Sequence, residues 1–456
     1  MSFIKERFNS FNNLVLKDNT VVISILIVAF SIRVINLLIN NYTLVGDEIS
    51  YYEGAINLAQ GNGYISADGK YIDYFPILYS LFLSSFYYLF TPSILMAKII
   101  NIFLGVITCW LTFLFAEKLT TKKIAVFCLI AMAINPQFVK ISGKLLSENL
   151  FLPIFLLWII IALNIHSNLD KTISLRKKIY YSIIHGIVFG IMLLSKVIAA
   201  GLLPAFIFSY LLSKNYHLKE KILLIIVGAI SILAIITPWI VRNYSVYDRF
   251  VPLTTTGGIT FYSSNVRKGQ PYGNMLEDDL TLSLKKENPV DRSAYLTQYT
   301  LKYLKENLST VPYLLLQKTG YFWGPLDWEV MSEDGYSKFP GYNFVYISLL
   351  PFFVIGVFRF LKSFNYNSFF LFQIIMLLQI FSVYGTCLIH YGSARQRMVI
   401  EPLIMVFSLI SLANYKKWFG SAILCYFTLN FIIFIYIIPI KVFLKNTSWL
   451  KFINFY

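Results

Sequence analysis

Residues 21–39 read VVISILIVAFSIRVINLLI, from Val21 to Ile39, and Arg33 is the one charge in the run. A helix rises about 1.5 Å per residue, so this run approaches the roughly 30 Å of a bilayer's hydrocarbon. A surface helix of this length would carry a polar face, and this one has none. Stretches of the same kind recur at 95–116, 221–241, 368–389 and 419–440. A chain of 456 residues would ordinarily suggest two or three soluble domains. Here 57% of the residues are hydrophobic and 14% are charged, against about 25% charged in soluble domains, so the apolar runs decide the class. The sequence is that of an all-α integral membrane protein.

The net charge of +16 is distributed, and its distribution sets the topology. Loops rich in Lys and Arg face the cytoplasm. These are the N-terminus (Lys5, Arg7, Lys17), Lys118–Lys123, Lys171–Lys178, Lys214–Lys221, Arg359–Lys362 and Lys416–Lys417. Residues 40–75 carry Asp47, Glu48, Glu53, Asp68 and Asp73 against Lys70 alone, which places them outside. Parity then lets 76–116 cross once. That crossing is 95–116, and 77–90 becomes an apolar helix in the outer interface. Further crossings are expected at 124–141, 148–166, 181–195, 197–212, 221–241, 343–361, 366–389, 398–413 and 419–440. The total is about eleven transmembrane helices, within a range of ten to thirteen. The N-terminus lies inside, and 147–148, 195–196 and the long stretch 242–342 lie outside. Residues 1–412 form the catalytic region, with outer loops 40–94 and 242–342, and 413–456 form a last helix and tail.

The same distribution excludes other classes. The basic residues sit in short interhelical loops and form no nucleic-acid patch. Cys109, Cys128, Cys387 and Cys425 fall inside apolar runs and read as small fillers. The polar N-terminus lacks a cleavable signal pattern, so the first span is expected to act as an uncleaved signal.

The informative charges are those that the cytoplasmic bias does not explain. Asp47 and Glu48 follow the first span closely, and Tyr51 lies one helical turn beyond Asp47. A carboxylate held at that depth can act as a general base or ligate a hard cation. Glu148 opens a span and is a second acid at the same boundary. Lys196 lies between two apolar runs at the outer face, where charge bias does not account for it. Arg242 follows Pro238-Trp239 and leads into a Thr- and Gly-rich segment ending at Gly257-Gly258. Arg395 and Arg397 stand just before a span closed by Glu401-Pro402, and guanidinium groups suit a lipid phosphate at headgroup depth.

Taken in order, these pieces resemble the GT-C superfamily of membrane glycosyltransferases, in particular bacterial relatives of protein O-mannosyltransferases and lipid A aminoarabinose transferases. The resemblance is carried by Arg33, Gly46-Asp47-Glu48 with Tyr51, Ala55, Leu58, Gly61 and Gly63-Tyr64, and Pro76 to Leu81. It continues through Glu148, Pro238-Trp239, Arg242-Asn243, Phe250 to Leu253, Gly257-Gly258 and Arg395 to Pro402. It implies a polyprenyl-phosphate-linked sugar donor, an envelope acceptor and a site at the extracytoplasmic face of a bacterial plasma membrane, built on GT-C-like loops and interfacial helices. It also implies that Asp47 is the base, with Glu48 and Glu148 as supporting acids. A divalent metal, if used, would sit at Asp47 and Glu148. A single base points to inversion at the anomeric carbon. The alternative is a transporter or flippase of a lipid-linked precursor. It is disfavoured because the unexplained charges gather at one face rather than at the midplane.

Overall fold

The computed structural model describes residues 19–40, 43–167, 174–212, 216–266, 277–324, 343–362 and 368–413. The span expected at 419–440, Cys425 and the tail to 456 lie outside them. In chain order the helices are α1 Thr20–Ile39, α2 Asp47–Ala59, α3 Leu78–Leu89, α4 Ile94–Leu119, α5 Lys122–Ile134 and α6 Pro136–Ile141. Then follow α7 Glu148–Ser167, α8 Leu175–Ser195, α9 Leu203–Leu211, α10 Leu218–Tyr247, α11 Gly257–Asn265 and α12 Asp279–Ser283. The last six are α13 Pro289–Glu306, α14 Val311–Trp323, α15 Phe344–Lys362, α16 Ser368–Ile389, α17 Ala394–Arg397 and α18 Glu401–Ala413.

Among the described residues, six helices are long and apolar enough to cross a membrane: α1, α4, α8, α10, α15 and the Leu371–Ile389 part of α16. Helix α3 has 12 residues. At 1.5 Å each they rise about 18 Å, well short of a bilayer, which suits the interfacial reading of 77–90.

The crossing expected at 124–141 is not one helix. It breaks at Asn135, whose side-chain oxygen accepts from Gln137 N at 3.0 Å and caps α6, with Pro136 at the first position. Proline has no N–H to continue α5, so the break is written into the sequence. Arg33, the lone charge of the first span, serves this break. It is buried, and donates to Ala133 O at 3.3 Å, to Ser142 Oγ at 3.2 Å and to Ala29 O at 2.9 Å. A carbonyl released by a broken helix has no water to turn to in hydrocarbon, and the guanidinium supplies the missing donor.

Small residues let the long helices approach closely. A Cβ on Gly186 of α8 would stand 2.3 Å from Gly228 O of α10, so the two backbones touch there. Gly186→Ala is therefore expected to lower stability by about 1–3 kcal/mol through overpacking. Thermal unfolding in detergent measures this. An unchanged melting temperature would mean that α8 and α10 do not meet at this glycine.

The segments between α2 and α3 and beyond α10 fold onto one another and onto one end of the bundle. Gly61 and Gly63 adopt φ of +80° and +90°, which only glycine takes without strain, and they turn the chain out of α2. Thr255 then ties the segment after α10 to this loop: its N donates to Asp73 O at 3.1 Å and its Oγ1 to Asp73 Oδ2 at 2.8 Å. Burial raises the Asp73 carboxyl above its ordinary value, and the Thr255 hydroxyl partly offsets that.

Candidate active site

Helix α2 starts at Asp47 because Gly46 turns the chain with φ +53°. Asp47 and Glu48 thus occupy the first turn, where exposed N–H groups favour negative charge. Across the bundle, Glu148 is the first residue of α7, Lys196 follows the last residue of α8, and Arg395 lies on the short α17. Four helix ends therefore deliver four charged side chains to one place.

Arg395 is the hub. Its NH1 donates to Asp47 Oδ2 at 2.7 Å, its Nε to Glu148 Oε1 at 2.5 Å and its NH2 to Glu148 Oε2 at 3.3 Å. Lys196 Nζ donates to Glu148 Oε1 at 2.6 Å. The Arg395–Glu148 contact is bidentate, the geometry in which guanidinium and carboxylate bind most strongly and with fixed orientation. Exposure grades across the cluster. The Glu148 side chain is 0% exposed, Lys196 12%, Arg395 21% and Asp47 33%. Glu148 is thus the sealed anchor that holds both cations, and Asp47 is the most solvent-exposed member.

Glu48 points elsewhere. It is buried, and its Oε2 accepts from Leu145 N at 3.0 Å. Burial raises its carboxyl above the ordinary value, opposed by the Leu145 N–H and by the nearby Lys144 and Lys98 charges. Glu48 therefore pins the 142–147 linker that leads into Glu148. Tyr51 is likewise buried. Its ring packs on Phe75 at 4.8 Å and edge-on to Tyr79 at 5.1 Å. Its hydroxyl is pushed well above the ordinary range by burial, with the Asp47 and Glu148 charges adding to the effect.

Arg242 and Arg397 lie in other networks. Arg242 donates to Tyr64 O at 3.1 Å and to Asn243 Oδ1 at 3.0 Å, with its guanidinium over the Trp239 and Tyr71 rings. It fastens the 61–73 loop to α10. Arg397 is fully buried and paired with Glu401 at 2.9 Å, and its NH1 bonds the Phe322 and Gly324 carbonyls. Its guanidinium also lies 3.7 Å from the Tyr346 ring centroid. A cation so enclosed does not reach a lipid headgroup, and the reading of Arg397 as a phosphate contact is corrected to one of support. Asn135 and Asn343 donate to the same Glu401, and Gln137 Nε2 donates to Ala394 O at 3.0 Å beside Arg395. The i, i+4 spacing of Arg397 and Glu401 was a visible sign of this pair. The asparagines and Gln137 carried no such sign.

Among the described residues, no group of three or more His, Cys, Asp or Glu side chains converges in a way that suits a metal ion. Asp47 and Glu148 are joined through Arg395, whose guanidinium bridges the two carboxylates.

Residues 75–241 match the family model described as dolichyl-phosphate-mannose-protein mannosyltransferase. No curated protein sequence matches the chain. Among solved structures, the fold is similar to that of the archaeal oligosaccharyltransferase AglB from Archaeoglobus fulgidus in complex with an inhibitory peptide and a dolichol-phosphate. That match has 14% identity and a TM-score of 0.54, and covers 91% of this chain and 54% of that one. The apo form of the Archaeoglobus fulgidus oligosaccharyltransferase gives 15% identity and a TM-score of 0.54, over 87% of this chain and 50% of that one. ArnT from Cupriavidus metallidurans bound to undecaprenyl phosphate is more distant, at 12% identity and a TM-score of 0.43, over 86% of this chain and 78% of that one. The chain spans about half the length of the archaeal oligosaccharyltransferases it matches. At these identities the likeness to the archaeal oligosaccharyltransferases is one of fold.

Proposed function

We propose that this chain, having the GT-C fold, is a glycosyltransferase that moves a sugar from a polyprenyl-phosphate-linked donor to an envelope acceptor, with the site facing away from the cytoplasm. The observation that carries the reading is the graded cluster. A partly exposed carboxylate, Asp47, stands against two cations, Arg395 and Lys196, that a sealed carboxylate holds in place. Transfer from a lipid phosphate needs a base for the acceptor proton and positive charge for the departing phosphate. Both are present within one side chain's reach of each other.

The step balances simply. The acceptor oxygen forms a bond to the anomeric carbon as the bond from that carbon to the phosphate oxygen breaks. The electron pair leaves with the phosphate, and the acceptor proton passes to Asp47. Arg395 engages Asp47 through Oδ2, so Oδ1 is the oxygen that takes the proton. Arg395 and Lys196 stabilise the charge that grows on the phosphate. With one base and, among the described residues, no carboxylate placed as a covalent nucleophile, attack from the face opposite the phosphate inverts the anomeric centre.

The reading makes a binding prediction. Native mass spectrometry of the purified protein with polyprenyl phosphate is expected to retain the lipid. Arg395→Ala is expected to weaken retention by about 10–100-fold, the value of a charge-assisted contact of about 1.5–3 kcal/mol. Equal retention by Arg395→Ala would remove the phosphate-binding role. A flippase would also bind the lipid but would leave its sugar attached, so donor turnover separates the two readings.

A further inference from the structure

Lys318 lies on α14 with 1% of its surface exposed. Its ammonium has three N–H groups and makes three bonds: to Asn265 Oδ1 at 2.7 Å, to Leu388 O at 3.0 Å and to Ile389 O at 3.2 Å. Among the described residues no carboxylate pairs with it. Leu388 and Ile389 form the last turn of α16, where carbonyls lack helical partners and the helix dipole is negative. A buried cation aimed there replaces a cap. Asn265 of α11 reinforces the contact, its Nδ2 donating to Ile389 O at 3.0 Å.

The residues that follow are the reason to attend to this contact. From Ile389 the chain runs through His390, Tyr391 and Gly392 to Ser393, whose Oγ accepts from Gln396 N at 3.3 Å and caps α17. Arg395 stands on that helix. Gly392 is pressed against α14 itself, since a Cβ there would lie 2.0 Å from Lys318 O. The His390 ring meets Phe261 of α11 edge-on at 6.2 Å. The strap that carries Arg395 is therefore clamped by α11 and α14, both from the long segment after α10. Keeping an ammonium dry without a carboxylate costs stability, and burial lowers the Lys318 ammonium to about 8, still mostly charged at neutral pH.

We infer that Lys318 is a positioning residue for Arg395: it locks the end of α16 and thereby sets the 390–393 strap that aims the guanidinium at Asp47 and Glu148. Helices α11 and α14 and the charged cluster are then mechanically one unit.

Two measurements test this. The first is hydrogen–deuterium exchange on the full chain in nanodiscs. Lys318→Met is expected to raise exchange in 390–396 while leaving α8 and α10 unchanged. The second is kinetic, and it rests on the transfer reading above. Lys318→Met is expected to lower kcat about tenfold with KM little changed, and to add nothing in an Arg395→Ala background, because coupled residues are non-additive. Unchanged exchange in 390–396 overturns the inference, as does an equal loss in both backgrounds, which is what general destabilisation would produce. Should Lys318→Met not fold, Lys318→Gln keeps two donors and is read in the same way, with smaller effects. A wild-type protein that transfers no sugar would count against the proposed function, and the exchange result would still decide whether Lys318 sets the strap.

Discussion

Glu148→Gln is expected to cost about 3–5 kcal/mol of stability and to reduce transfer by about 100-fold or more. The reason is the asymmetry of buried charge. Glu148 is sealed from solvent and accepts from Arg395 twice and from Lys196 once. A neutral amide cannot balance two cations. It would leave Arg395 and Lys196 side by side, with Asp47 as the remaining carboxylate of the cluster. Like charges in a poorly hydrated site repel strongly. One cation would have to lose its proton or turn outward, and either change disperses the cluster. Glu148→Asp keeps the charge on a shorter arm and is expected to fall between the two. Thermal unfolding in detergent reads the stability arm. A Glu148→Gln protein that melts with the wild type would show that Glu148 is not the anchor of the site.

Asp47→Asn is expected to behave differently. Asp47 is one-third exposed and contributes one contact to Arg395, which an amide oxygen can still accept. The fold should hold, and lipid phosphate should still bind. The loss falls on the chemical step, because asparagine cannot take the acceptor proton. General bases contribute about 10²–10⁴-fold, so kcat should drop by that factor with KM little altered. Steady-state kinetics on the purified variant give the split. A loss confined to KM would make Asp47 a binding group and leave the base unassigned.

The contrast between these two acids was only half legible in the sequence. That Asp47, Glu148, Lys196 and Arg395 were unusual followed from charges standing where the cytoplasmic bias does not put them. That they meet could not be read, because no period relates residues separated by 48, 247 and 348 positions. The six long apolar helices among the described residues were legible for a simpler reason: a run such as 21–39 has no soluble alternative. The break at Asn135-Pro136 was written in the local sequence as a turn signal, yet the surrounding apolar run masked it. Arg397 was masked in a similar way: its charge suggested a wet surface, but the acid at Glu401 gave it a partner inside. Lys318 carried no sign in the sequence, since its partners are the Asn265 amide and two backbone carbonyls, 53 to 71 residues away, which composition does not reveal.

The most direct test of the central claim is donor turnover. The purified protein in nanodiscs is given a polyprenyl-phosphate hexose labelled in the sugar, together with an extract of envelope lipids and glycans as the acceptor pool. The account predicts release of free polyprenyl phosphate in step with label entering the acceptor pool, at a rate that Asp47→Asn lowers by at least about 100-fold. An intact donor under conditions in which the cell's own membranes consume it, or turnover by Asp47→Asn at the wild-type rate, would contradict it.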